Sequence, residues 1–332
     1  MRIRREILIG FCGGALTWLA GCGGSGHAST EKYWLVATNI KIPYWQSANA
    51  GLLHAAQQIG VKAEMVGPDT FDPKAEHEFF QRVLAEKIKP SGILISVADP
   101  AVMQPDIDAA IGQGIPVITV DSDAPASKRL TFIGTDNYKA GLMGAQLALK
   151  QLQGKGNVVV FTMPEQANLK ERLRGYHDGF EGHAGIKIVE TVDFKGDARI
   201  AFDHTQDLID KKGMDKIDGF ICLEAIACPE VADVLDRNKV GGKVIVAMDA
   251  DDPRTLDWIR KDRIAGTIAQ KPFTMGFVGV LALGTLHQYP PNPLDKLWAQ
   301  DPQSPVATFI GTGEMLVDKS NVDALVSAAP QK

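Results

Sequence analysis

The chain has 332 residues, 45% of them hydrophobic and 23% charged, and a formal net charge of −5. That length supports two domains, each with an ample core. The mildly acidic balance lacks the basic footprint of a nucleic-acid binder, so no nucleic-acid partner is expected.

Arg2, Arg4 and Arg5 precede a short apolar run from Ile7 to Ala20, with Glu6 an unusual acid among them. The run is too short to span a bilayer comfortably and ends in small residues, the pattern of a signal peptide. Its ending, Leu19-Ala20-Gly21-Cys22, resembles the lipobox of bacterial lipoproteins. That resemblance implies removal of residues 1–21 and lipidation of Cys22 as the first mature residue. The plainer alternative is a secretory signal with an incidental cysteine. Gly23-Gly-Ser-Gly26 then reads as part of a flexible tether over residues 22–30, between a membrane and the folded domain. Two more cysteines remain, Cys222 and Cys228, across a predicted strand end and helix start. An exported protein can oxidise such a pair, but spacing alone does not establish disulfide geometry; two buried free thiols are the preferred reading.

From residue 33 onward, strands and helices alternate. Predicted strands cover residues 33–38, 62–66 and 92–96. Helices 43–59, 73–87 and 101–113 lie between and after them. Pro116-Val-Ile-Thr-Val-Asp121 is an apolar, β-branched run of the kind buried on both faces of a parallel sheet, and it ends in an acid. A short strand at 130–133 and a helix from Tyr138 to Gln151 follow. The second half repeats the pattern with strands at 157–163, 187–192, 219–223, 243–248 and 266–270. Its helices are predicted at 169–181, 198–211, 229–238, 253–261 and 272–286. Residues 288–305 are rich in Pro and Asn and read as a loop, before an extended piece within 306–317 and a helix at 321–328. Gly92 to Asp121 spans 29 positions and Gly219 to Asp249 spans 30, each ending in an Asp with Asp-Ala-Pro or Asp-Pro beyond. Two βαβ units of one length predict two similar α/β lobes, each a doubly wound parallel sheet. If the lobes face each other, Asp121 and Asp249 line one cleft from opposite sides.

No catalytic constellation stands out. There is no His-Glu-x-x-His, Gly-x-Ser-x-Gly or Gly-x-x-x-x-Gly-Lys-Ser/Thr, and the histidines lack metal-ligand spacing. No enzyme activity, metal or cofactor is expected. Polar and aromatic residues instead gather at predicted strand ends, where open α/β sheets bind ligands. Tyr44 and Trp45 follow the first strand and can stack on a sugar face or pack in the core. Asp121 ends the fourth strand, and Asn137 opens the next helix. Arg172 starts near a strand end, and Glu224, Asp249 and Gln270 each end a strand. Any one of these acids could cap a helix; together they suggest a polar pocket for a hydroxyl-rich ligand.

The residues from Trp34 to about Ala324 resemble the bacterial periplasmic solute-binding proteins of the ribose-binding type. The matching phrases are Ile115-Pro-Val-Ile-Thr-Val-Asp121, Ile133-Gly-Thr-Asp-Asn137, Glu171-Arg-Leu-Arg-Gly-Tyr176, Val244-Ile-Val-Ala-Met-Asp249 and Gly266-Thr-Ile-Ala-Gln-Lys-Pro-Phe-Thr-Met-Gly276. The resemblance implies a type I periplasmic binding protein fold, two lobes joined by a three-crossover hinge that closes on ligand. Crossings are placed near Thr135, Gln270 and Pro305. The N-terminal lobe is then 31–135 plus 271–305 and the C-terminal lobe 136–270 plus 306–330. It also implies ligand contacts at Tyr44, Trp45, Asp121, Arg172, Asp249 and Gln270. A sugar or polyol is the expected ligand, an ABC permease the partner, a lipid anchor the membrane link, and a monomer the state. The expected location is the periplasm or the outer face of the cell membrane. The sequence departs from the ribose pattern inside the pocket. Ile42 stands for an Asn, Ser122 for an Arg, and Leu223-Glu224 for an Asn-Asp pair. A polyol, an amino sugar or another cationic group suits Glu224 as well as a plain sugar does. Partnership with a membrane sensor or chemoreceptor, and an exported carbohydrate-active enzyme, are the alternatives. Repressors of the LacI type share the fold but carry a DNA-binding helix-turn-helix where this chain has a signal and tether.

Overall fold

The computed structural model of the protein describes residues 26–328. The signal-peptide and lipobox readings, Cys22 included, fall outside the described residues. The first stretch runs β1 (Lys32–Val36), α1 (Pro43–Ile59), β2 (Lys62–Val66), α2 (Pro73–Leu84), β3 (Gly92–Ile95), α3 (Pro100–Gly112), β4 (Val117–Val120) and β5 (Phe132–Gly134). The second runs α4 (Asn137–Gln151), β6 (Gly156–Thr162), α5 (Ala167–Phe180), β7 (Ile186–Asp193), α6 (Ala198–Asp210) and β8 (Gly219–Cys222). It continues through α7 (Ala227–Arg237), β9 (Val244–Met248), α8 (Pro253–Arg260) and β10 (Gly266–Ala269). The chain ends with α9 (Pro272–Gln288), β11 (Phe309–Gly311), β12 (Met315–Val317) and α10 (Val322–Ala328).

These strands form two six-stranded sheets. The first has the order β2-β1-β3-β4-β5-β11, parallel throughout. The second has the order β7-β6-β8-β9-β10-β12, parallel except for β12 at its edge, which runs antiparallel to β10. The central strands β3, β4, β8 and β10 are buried at every residue, as their apolar runs require when helices cover both faces. Helix starts follow local chemistry. Asp72, Asp99, Asp136, Asp197 and Asp252 each accept a backbone N–H of the following first turn, and Pro occupies the first turn of α1, α2, α3, α8 and α9. Each lobe has its own apolar core. α9 belongs with the first lobe, where Met275, Val280 and Leu283 join the core of β1, β3 and β4.

The chain passes between the sheets three times, between β5 and α4, between β10 and α9, and between β11 and β12. The last crossing lies between Gly311 and Met315, beyond the Pro305 expected from sequence. Phe309–Gly311 pairs in register with Phe132–Gly134, so residues 309–311 belong to the first sheet rather than to the second lobe. The stretch predicted as a free tether is held from Gly26 onward. Gln288 donates to the Gly26 carbonyl, and His27 pairs with Glu31.

Candidate ligand-binding site

Both sheets present their strands' carboxyl ends to a small cleft of about 40 Å³ between the lobes, at the place where open α/β sheets bind ligands. From the first lobe come Tyr44 and Trp45, in the first turn of α1. Both are buried in the core and pack edge to face, with ring centroids 5.2 Å apart. They also line the cleft, so packing in the core does not take them out of it. The Tyr44 hydroxyl donates to Asp121 Oδ1 at 2.6 Å. Asp121 follows β4 with a left-handed φ of 64° and donates its amide to Ile133 O on β5. Its Oδ2 accepts from Ser96 at 3.3 Å and, across the cleft, from Asn168 Nδ2 at 3.4 Å.

The second lobe supplies Arg172, Glu224, Asp249 and Gln270. Arg172 lies on α5 and is only 2% exposed. Its place depends on close contact between α4 and α5: a Cβ on Gly141 would sit 2.1 Å from the Arg172 carbonyl oxygen, and one on Gly175 2.3 Å from that of Tyr138. The guanidinium donates from Nε to Asn137 Oδ1 at 2.8 Å and from Nη1 to the Leu223 carbonyl at 2.6 Å, while Nη2 has no partner. Gln270 Nε2 donates to Asp249 Oδ1 at 2.8 Å, and Gln270 Oε1 is left without a partner. Asp249 follows β9 with φ 69°, and Glu224 accepts from the Ile226 amide at 2.8 Å.

Two buried carboxylates, Asp121 and Asp249, and the partly buried Glu224 therefore face one guanidinium. Burial holds the Asp121 carboxyl above its ordinary value, with Arg172, Tyr44 and Ser96 acting against the rise. Burial pushes Asp249 up to about 8; Arg172 and Gln270 oppose the shift and Asp251 and Asp121 add to it. Glu224 rises to about 7 from burial, opposed by the Ile226 amide and Arg172.

Of the residues proposed from sequence, Tyr44, Trp45, Asp121, Arg172, Glu224, Asp249 and Gln270 line the cleft. Asn137 does not. It sits behind the guanidinium, accepting from Arg172 and donating to Thr135 O. The capping alternative fails for Asp121 and Asp249: α4 is capped by Asp136 and α8 by Asp252. The free-thiol reading is also corrected, because Cys222 and Cys228 form a disulfide with Cα atoms 5.7 Å apart. The strand-end rule passed over Asn39 beyond β1 and Gln166 and Asn168 beyond β6, although it reaches all three. Phe71, from the β2–α2 loop, carried no such signal. It lines the cleft and packs against the core of the opposite lobe. A Cβ on Gly196 would meet Phe71 Cβ at 2.5 Å. With Asn168 of the second lobe also bonded to Asp121 of the first, the lobes are closed on each other.

Residues 33–288 match the model of the periplasmic binding protein domain. The chain belongs to the periplasmic binding protein family. Members similar to it include the ribose import binding protein RbsB of Bacillus subtilis (strain 168), 23% identical over 76% of this chain and 80% of that protein. The crystal structure of an ABC transporter solute-binding protein from Burkholderia graminis in complex with D-arabinose is 27% identical, with a TM-score of 0.79 over 92% of this chain and 100% of that one. The arabinose-binding protein AraP of Geobacillus stearothermophilus is 28% identical, with a TM-score of 0.73 over 89% and 99% of the two chains. The fold is that of its family: two parallel-sheet α/β lobes with helices alternating with strands. No helix among the described residues is long and apolar enough to cross a membrane.

Proposed function

We propose that the protein is an extracytoplasmic solute-binding lipoprotein that captures a monosaccharide or related polyol between its lobes and delivers it to an ABC importer. One observation carries the reading. Arg172 Nη2 and Gln270 Oε1 are buried in the closed cleft without partners, beside three carboxylates from both lobes. Buried polar atoms of this kind are costly unless something bonds them. A ligand dense in hydroxyls is both donor and acceptor, so it bonds a guanidinium, an amide oxygen and carboxylates at once. Tyr44 and Trp45 offer ring edges and faces to its apolar side. Relatives named for ribose and arabinose support the sugar class. Ser122 and Glu224 leave the identity of the sugar open. The reading is one of capture: the acids hold hydroxyls and are assigned no reaction step. Export, anchoring at Cys22 and residence on the outer face of the cell membrane rest on the lipobox-like ending of the leader.

The test is a thermal-shift panel of pentoses, hexoses, polyols and amino sugars. A ligand at about a hundredfold excess over its dissociation constant adds about 2.7 kcal/mol to stability. At least one sugar or polyol is expected to raise the melting temperature by several degrees. A panel that moves it nowhere contradicts the sugar class.

A further inference from the structure

The turn after β8 is closed differently from its counterpart in the first lobe. There, β3 leads to α3 through a turn that Asp99 closes, its side chain accepting from the Ala101 amide at 2.8 Å. In the second lobe β8 leads to α7, and Ile226 at that helix start has no capping side chain. Glu224 makes the equivalent bond one turn earlier, accepting from the Ile226 amide at 2.8 Å, and a disulfide closes the turn in addition. Cys222 is the last residue of β8 and Cys228 the second of α7, and both are fully buried.

The residues enclosed by this bond, Leu223 to Ala227, include two that line the cleft, Glu224 and Ile226. They also include the Leu223 carbonyl that fixes Arg172 Nη1 at 2.6 Å. Glu224 is folded back onto the turn itself, accepting from Ile226 N. The covalent link thus brackets one of the three carboxylates and one of the two acceptors holding the guanidinium. A ring this small removes less entropy from the unfolded chain than a long loop would, since that gain grows with loop length. What it does restrict is the path of the turn.

We propose that the Cys222–Cys228 disulfide is a positioning element of the ligand site. It sets the Leu223 carbonyl and the Glu224 carboxylate, and through the carbonyl it aims Arg172 Nη2 into the cleft. Ligand affinity then depends on the bond, beyond any effect on folding. The proposal rests on the sugar-binding reading above for its affinity arm, and on local order of the turn for its other arm.

The test compares wild type with the Cys222→Ala/Cys228→Ala protein, or the corresponding serine pair should the alanine pair not fold. Both are studied well below their melting temperatures. Calorimetric titration uses D-arabinose and D-ribose as probes, and amide exchange follows residues 223–227 without ligand. The expected results are a loss of about tenfold or more in affinity and faster exchange in the turn. The cost of Arg172→Lys should also be smaller in the cysteine-free background than in wild type, because the carbonyl that aims the side chain is no longer fixed. A role in stability alone predicts a lower melting temperature with unchanged affinity, unchanged exchange in the turn and an additive Arg172→Lys effect; that outcome overturns the proposal. So does a wild-type protein whose two cysteines alkylate without reduction. If neither sugar binds wild type, the choice of ligand class is what suffers, and the exchange arm still decides this proposal.

Discussion

Asp121 and Asp249 hold the same position in the two lobes. Each follows a buried parallel strand, each has a left-handed backbone, φ 64° and 69°, and each donates its amide to a carbonyl of the next strand, Ile133 and Ile268. Asp tolerates that region better than most residues, and the turn aims each carboxylate off its strand end into the cleft. The internal repeat is therefore visible as a pair of acids on opposite walls, with only Arg172 between them carrying a formal positive charge among the cleft-lining residues. Unusual backbone at a strand end commonly marks a ligand site, and here it occurs twice in equivalent places.

Arg172→Lys keeps the charge and removes the fork. The guanidinium is held at Nε and Nη1 and leaves Nη2 for the cleft. An ammonium lacks that planar set of donors. Binding of the best sugar from the panel should weaken by about tenfold or more, a loss of about 1.4 kcal/mol or more. Titration of wild type and variant side by side checks this, and equal affinities would show that the guanidinium does not touch the ligand.

Stability without ligand should depend on pH. Asp249 has its carboxyl pushed up to about 8 from an ordinary 3.8 by burial. A group whose value is higher in the folded state stabilises the fold below the unfolded value and loses that contribution as pH rises through the folded one. The closed, ligand-free protein therefore becomes less stable between about pH 4 and about pH 8, with Glu224 contributing in the lower part of that window. Asp249→Asn should flatten the profile, melting above wild type near pH 8 and close to it near pH 4. Melting curves across this range decide it; parallel profiles for the two proteins would speak against a buried, uncompensated carboxylate.

Phe71 and Gly196 predict a mechanical effect. Phe71 reaches from the first lobe onto Gly196 and the apolar core of the second, and Gly196 has φ 69° with no room for a Cβ. Gly196→Ala should hold the lobes apart, giving a ligand-saturated protein with a larger radius of gyration by small-angle scattering. Phe71→Ala should weaken ligand binding by about tenfold, since burying part of a phenyl ring is worth about 1–2 kcal/mol. Wild-type compactness and affinity in both variants would remove Phe71 from the closure.

The proposed anchoring rests on Cys22. Cys22→Ala should shift the protein from the membrane fraction to the soluble extracytoplasmic fraction, or leave its precursor uncut. Fractionation and intact mass check this. Unchanged processing and membrane association in the variant would refute lipidation at that residue.

Much of the architecture is legible in the sequence because it is encoded locally. The apolar runs before Asp121 and Asp249 can only be buried strands, and their spacing from Gly92 and Gly219 reveals the repeat. The same strand ends point to Arg172, Glu224 and Gln270. What the sequence does not disclose depends on partners distant in the chain. Asn137 reads like a cleft residue because it follows a strand, but the buried guanidinium turns its amide away from the cleft. Phe309–Gly311 carries no mark that it will pair with Phe132–Gly134 rather than join the second lobe. Phe71 is a loop residue of one lobe that packs on the core of the other. The Cys222–Cys228 bond depends on how tightly the turn after β8 folds, which spacing alone leaves open.

The central claim is that one ligand is held jointly by the two walls of the cleft. Calorimetric titration of the best ligand into wild type, Asp121→Asn and Asp249→Asn, beside ligand-free melting of each, tests it most directly. Asparagine keeps an acceptor for Tyr44 and Gln270 but replaces the second carboxyl oxygen with an amide nitrogen that cannot accept from a ligand hydroxyl, a loss of about 1 kcal/mol or more. The account predicts that each variant binds about five- to tenfold more weakly or worse, while its ligand-free melting at neutral pH is no lower than that of wild type. Variants that melt lower and yet bind with wild-type affinity would contradict it, because the two aspartates would then be structural acids and the ligand would be held elsewhere.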